Sequence, residues 1–214
     1  VAIEQCIDSI RYMTGEAWKM VADAMNKALK PGRIDNAVAE DLETREIKID
    51  EMQANITNYL VELTSRRLTE PQAELVPLLI HCTNDAERIA DHAGNLVSLT
   101  KRLEKEESRI PEGMMEEIDN LWMIVQNQSK HVCECLKNAA KEDYIVALRD
   151  EDRINELVKS LEKKNVKQMK KGKTDAVTGT IILEVLTVIE KIGDHLSNIA
   201  ERAPDIQQEH VRLK

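Results

Sequence analysis

The chain has no phenylalanine, and only 2% of its 214 residues are aromatic. Glycine (7) and proline (5) are scarce as well. Period-two runs of β-branched and aromatic residues are missing, which argues against a sheet. Long stretches of Ala, Glu, Lys, Leu, Arg, Met and Ile stand in their place and favour helix. No run of 18 apolar residues occurs, so no membrane-spanning helix is expected, and no signal peptide is recognisable. Positive charge is short too: 30 Lys and Arg face 39 Asp and Glu, giving a net charge of −9. The chain reads as lacking a basic stripe, which makes nucleic-acid phosphates poor partners. Cations, a basic protein partner or plain solubility fit that acidity better.

Cysteine is also sparse. Cys6 and Cys82 fall on apolar helical stripes and read as small core residues. The "HVCEC" segment (His131, Cys133, Cys135) has the residue types of a metal site, but i and i+2 point about 200° apart on a helix. Nothing resembles a secreted disulfide framework. The expected setting is cytoplasmic. The chain begins at Val1 rather than Met, already in a helical pattern, and reads as a domain of a longer protein; processing or cloning would also explain this.

Apolar spacing and breakers predict six long helices. The first runs over about 3–30, with Ile3, Ile7, Ile10, Thr14, Ala17, Val21, Ala24 and Ala28 on its stripe. "KPGRID" ends it. The second covers about 36–67, carrying Leu42, Ile49, Met52, Ile56, Leu60 and Leu63. Thr69 then offers an N-cap, with Pro71 in the first turn of a third helix over about 70–106. Its seam is Leu75, Leu79, Cys82, Ala86, Ile89, Ala93, Leu96, Thr100 and Leu103. Ser108 and Pro111 suggest the start of a fourth helix to about 140, carrying Ile118, Trp122, Val125, Val132, Leu136 and Ala139. The fifth spans about 142–171 and stops at Gly172. The sixth covers about 174–203, with Pro204 as its end and a polar tail beyond. Helices of about 30 residues span about 45 Å, and short connections make neighbours antiparallel. The expected fold is all-α: two tandem three-helix bundles, residues 1–108 and 109–214, with Trp18 and Trp122 at similar places in the two halves.

One feature is written twice. "NDAERIADHAGNLVSL" (84–99) and "TVIEKIGDHLSNIAER" (187–202) agree at Glu87/Glu190, Ile89/Ile192, Asp91/Asp194, His92/His195 and Asn95/Asn198. Carboxylates four residues apart share a helix face and repel, so something must offset the repulsion. The preceding helix of each half carries a matching pair, Glu46 with Asp50 and Asp152 with Glu156. Counted from the hairpin turns near Leu68 and Gly172, each pair lies within one or two residues of the height of its partner pair, about 1.5–3 Å. Four carboxylates at one level suit a hard cation such as Mg, Ca, Mn or iron. Buried di-iron bundles use Glu-x-x-His, whereas His92 and His195 stand five after Glu, so redox catalysis is disfavoured and the histidines read as structural.

The repeated "ERIADHAGNL" and "EKIGDHLSNI" resemble the signature of the PhoU family. The resemblance implies two three-helix bundles with paired acidic motifs that bind metal clusters (iron, zinc and other ions). Carried over, those motifs fall on Glu46, Asp50, Glu87 and Asp91, then on Asp152, Glu156, Glu190 and Asp194. Glu156 departs from the motif's final Asp, and "QAE" at Gln72 and "DAV" at Asp175 replace the family's Asp-Leu-Arg. "ITNYLVELTSRRLTEPQ" (56–72) is similar to the PhoU-like cytoplasmic tail of sodium/phosphate cotransporters. The reading is therefore a non-enzymatic, metal-binding regulatory module for phosphate transport, part of or bound to a transporter at the inner membrane's cytoplasmic face, and capable of forming a homodimer. The alternatives are a stand-alone negative regulator of a phosphate ABC transporter and its sensor kinase, or a structural helical adaptor without metal.

Overall fold

The apolar stripes become buried seams. In a computed structural model describing residues 2–138 and 140–212, the chain forms six helices and, among the described residues, no strand. Helix α1 (Ala2–Ala24) runs into a π-helical turn, Met25–Leu29, closed by Lys30 N–H donating to the Met25 carbonyl. The wider turn lets Met25, Ala28 and Leu29 all reach the core. There follow α2 (Asn36–Thr64), α3 (Glu70–Lys105), α4 (Glu112–Asn138), α5 (Lys141–Lys170) and α6 (Ala176–Arg212). Every position of the expected seam on α3 is buried, as are Ile118, Trp122, Val125, Val132 and Leu136 on α4. Ala139 lies outside the described residues.

Local chemistry sets the ends. The Asp35 carboxylate accepts from the Ala37 N–H at the start of α2 (2.8 Å). Thr69 N–H donates to the Gln72 side chain at 2.9 Å, half of a capping box at the start of α3. Asp175 accepts from both the Thr178 N–H (2.9 Å) and hydroxyl (2.6 Å) ahead of α6. After α5, Gly172 takes φ 67°, a left-handed stop that glycine adopts without strain.

Two ends differ from expectation. Ser108 does not cap α4, because its hydroxyl turns back to the Glu106 carbonyl while the Pro111 carbonyl receives Met114 and Met115. Helix α6 also continues through Pro204 to Arg212. Proline forfeits a hydrogen bond there, but the segment beyond it is docked, not a free tail. Ile206 and Glu209 are buried, Gln207 donates to the Leu136 carbonyl, and Arg212 pairs with Glu209 and Glu74.

Helices α1–α3 form one three-helix bundle and α4–α6 the other, joined mainly along α3 and α6. These two run antiparallel: Glu184 meets Arg102, His195 meets His92, and Arg212 meets Glu74. Helices α1 and α4 also touch, where the Trp18 and Trp122 rings stack 5.2 Å apart. Residues equivalent in the two halves thus meet themselves, as they do near a two-fold axis.

Candidate metal site and inter-bundle cleft

The seams of α2 and α3 turn Glu46, Asp50, Glu87 and Asp91 toward one another. Glu46 lies one turn after buried Leu42, and Asp50 directly follows buried Ile49, which places both at the border with α3. Asp50, Glu87 and Asp91 each present a carboxylate oxygen within 4.8 Å of the others. They are the one trio with such spacing among the described His, Cys, Asp and Glu residues. Glu46 stands beside them, close enough for Asp91 and Asp50 to raise its pKa on top of the effect of its own burial. Burial, Asp91 and Asp50 together push the Glu87 carboxyl up to about 7, and burial and Asp50 raise Asp91. Arg88 relieves only part of this. The donor set therefore fits a hard divalent cation: oxygen ligands, partial exposure for water, and charge that Arg88 compensates only in part.

The second half is built differently. Glu190 and Asp194 occupy the places of Glu87 and Asp91 on α6, and burial raises both their pKa values. On α5, however, Asp152 and Glu156 are exposed and belong to no group with metal-ligand spacing. The α5 seam explains their placement. Ala147, Ile154 and Leu161 play the parts of Leu42, Ile49 and Ile56, so the counterparts of Glu46 and Asp50 are Glu151 and Asn155, one residue earlier. One residue is about 100° of helix azimuth. The inward position following Ile154 thus carries a neutral amide. Glu151, moreover, accepts a hydrogen bond from the Ser197 hydroxyl, and Glu190 is closer in charge to Glu162 and Lys159 than to any α5 aspartate.

Position 197 corresponds to Gly94, where an added Cβ would come no nearer than 3.9 Å to the Glu46 carboxylate. Gly94→Ser is therefore expected to fit, to hold Glu46 as Ser197 holds Glu151, and to weaken divalent-cation affinity by roughly three- to tenfold, the effect of one competing hydrogen bond. Calorimetric titration checks this, with the melting temperature of the metal-free protein unchanged or higher because serine replaces glycine in a helix.

A cleft of about 630 Å³ opens between α3 and α6, with Glu87, Asp91 and Arg88 on one wall and Asp194 and Lys191 on the other. His92 and His195 stack within it, ring centroids 5.6 Å apart. Their surroundings are unequal. His195 Nδ1 lies 2.8 Å from Asp85, which also accepts from Asn198 and Arg202. Where α3 has Asp85, α6 has Val188, so His92 has no such carboxylate. His92 pairs with Asn95 through Nδ1, its buried Nε2 has no partner, and burial with nearby His195, Lys191 and Arg88 lowers its pKa to about 4. Asp85, Glu151 and Asn155 were missed in the sequence. The α5 residues could have been found by aligning the apolar seams; Asp85 carries no local signal.

The four thiols are free: Cys6, Cys82 and Cys135 are buried and Cys133 half-buried. Burial raises all four above the usual thiol range, so they are poor nucleophiles. No helix of the described residues is long and apolar enough to cross a membrane.

Comparison with known proteins gives one consistent picture. A family model described as PhoU domain matches residues 10–100 and again 118–203. A "Phosphate-specific transport system accessory protein PhoU homolog" of Clostridium acetobutylicum is 25% identical over 202 residues, 93% of this chain and 89% of that protein. The similarly named protein of Pseudomonas aeruginosa is 29% identical over 205 residues, 93% of this chain and 81% of its own length. The fold is similar to the crystal structure of PhoU from Pseudomonas aeruginosa (TM-score 0.85, 22% identity, 97% of each chain). It is similar too to the phosphate transport system regulatory protein PhoU from Streptococcus pneumoniae (TM-score 0.80, 17% identity, 95% of this chain and 94% of that one).

Proposed function

The chain belongs to the PhoU domain family, and from that membership we propose that it is an accessory regulator of phosphate transport, of the stand-alone type. The supporting observation is the family match in both halves, together with relatives that are named accessory proteins and are aligned along most of their own length. A cotransporter tail is the weaker reading, since the resemblance at 56–72 is one segment against a match that covers most of the chain. The role is regulatory rather than catalytic, exerted by docking on a transport system or its control proteins. In cells lacking this chain, uptake of radiolabelled phosphate under phosphate-replete conditions should rise severalfold and return to normal when the chain is restored. Unchanged uptake would contradict the role.

Within that role, we propose that the first bundle holds a divalent cation. Asp50, Glu87 and Asp91 supply oxygens and Glu46 stands ready to add one or to position a water. Bound there, the cation supplies positive charge that offsets the repulsion within the cluster and ties α2 to α3. The second bundle, with Asn155 at the matching place and Glu151 engaged by Ser197, holds such an ion more weakly. The double change Asn155→Asp/Ser197→Gly should strengthen it, adding close to one equivalent of bound Mn2+ per chain in equilibrium dialysis.

A further inference from the structure

The chain is acidic overall, yet one segment of it is strongly basic, although Asp175 follows that segment and α4 begins at the same end with Glu112, Glu116 and Glu117. Residues 159–173, the last half of α5 and the turn into α6, carry seven lysines, one glutamate and no arginine, in a chain of net charge −9. The expectation that the chain lacks a basic stripe is thus corrected locally. Lys164 pairs with Glu117 across to α4 (2.6 Å), and Lys159 lies near Glu190. Lys163, Lys167, Lys170, Lys171 and Lys173 are exposed and, among the described residues, have no carboxylate at ion-pair distance.

Helix geometry makes this a surface. The buried seam of α5 runs through Ile154, Val158, Leu161 and Asn165. Positions 163 and 167 each lie two residues from 165, about 160° around the axis, and therefore face directly outward. Half-exposed Val166 sits between them, and exposed Val177 at the start of α6 flanks the turn. Like charges four apart, Lys163 with Lys167 and Lys167 with Lys171, repel. The helix macrodipole compensates cations in the last turn, such as Lys170, but not Lys163. The equivalent hairpin of the first half has no such concentration: Arg66 is paired with Glu62, and Glu62 stands where Lys167 stands. The fold itself therefore does not call for these charges.

We infer that this lysine-rich α5–α6 tip is a docking surface for an anionic phospholipid bilayer. Lysine without arginine gives compact, non-directional point charges rather than the forked, directional binding of a particular carboxylate or phosphate. A cluster of four to eight basic residues on a helix face is what a negatively charged leaflet attracts, at short range and in a salt-dependent way. Two valines among the lysines offer shallow apolar contact, and residues 159–177 contain no aromatic side chain on which a base could stack. The choice of a membrane surface over other polyanions rests on the proposed role beside a transport system. The acidic remainder of the molecule would be repelled by the same leaflet, so contact is by the tip, with both acidic rows held away from it.

Flotation with vesicles of phosphatidylcholine alone, or with 30 mol% phosphatidylglycerol, tests this at low salt and in EDTA, so that no cation bridges the acidic rows to lipid. Binding should require the anionic lipid and fall steeply with salt. Lys163→Gln/Lys167→Gln/Lys170→Gln/Lys171→Gln should lower the partition coefficient at least about tenfold, with unchanged helical circular dichroism. The same number of neutralisations at exposed Lys48, Arg67, Lys130 and Lys141 should have little effect. Equal binding by the tip variant and the parent, equal binding to neutral vesicles, or no binding by the parent would overturn the inference. So would preferential binding to duplex RNA or an acidic peptide over anionic vesicles in direct competition. The assay contains no transporter, so its outcome is separate from that of the phosphate-uptake experiment.

Discussion

Saturating Mn2+ is expected to raise the melting temperature of the metal-free protein by roughly 5–10 °C at pH 8. A ligand at a hundred times its dissociation constant adds about 2.7 kcal/mol to the folded state, and each kcal/mol is about 2–4 °C for a domain of this size. The pH dependence follows from the cluster. Burial, then Asp91 and Asp50, hold the Glu87 carboxyl at about 7 in the fold, whereas an unfolded glutamate titrates near about 4.3. A raised acid pKa means the folded state keeps a proton that the unfolded state has lost. Its contribution to stability is therefore full below the unfolded value and lost as pH rises through about 7. Metal-free protein should melt lower at pH 8 than at pH 5, and Mn2+ should remove that decline. Glu87→Gln should raise the metal-free melting temperature at pH 8 by about 1–3 °C while abolishing the response to Mn2+, since it relieves repulsion of a few tenths of a kcal/mol or more. Scanning calorimetry at both pH values, with and without Mn2+, checks all four states.

Asp85→Ala should be among the most destabilising polar substitutions in the chain, at about 3 kcal/mol and a fall in melting temperature of about 6–12 °C. Asp85 is buried on α3 and accepts from three α6 side chains, His195, Asn198 and Arg202. Removing it leaves the Arg202 charge, itself only partly exposed, without its partner at the seam between bundles. Burial alone would push the Asp85 carboxyl up, but the His195, Asn198 and Arg202 donors outweigh it and hold it below the usual carboxylate range. The sign is thus opposite to that of Glu87. This contribution is present above the unfolded aspartate value of about 3.9 and is lost as pH falls through the lower folded one. Asp85→Asn, which keeps an acceptor, should recover part of the stability and flatten the acid limb of a denaturation curve below about pH 4. Urea unfolding of both variants from pH 3 to pH 7 separates the lost charge from the lost acceptor.

The helices were legible because apolar spacing at 3.6 residues is a strong local signal; Leu75 through Leu103 on α3 needed no adjustment. The last turns of α6 were not. Pro204 is a local stop, and what overrides it, the burial of Ile206 and the ion pairs of Arg212, comes from distant helices. The first-half cluster was legible from heights along a hairpin. In the second half the same count gave the level and missed the azimuth. Asp152 and Glu156 sit at the right height on the wrong side, which the seam through Ile154 and Leu161 would have revealed. Asp85 was hidden for a different reason: its partners are more than a hundred positions away, and its repeat mate is Val188.

The two repeats share a backbone plan and differ in the chemistry they place on it. The most direct test is Mn2+ binding by isothermal titration to three proteins at pH 8: the parent, Glu87→Ala/Asp91→Ala, and Glu190→Ala/Asp194→Ala. The tight binding event should survive in the second-half variant and vanish in the first-half one. Tight binding that survives loss of Glu87 and Asp91, or that disappears equally in both variants, would contradict the account.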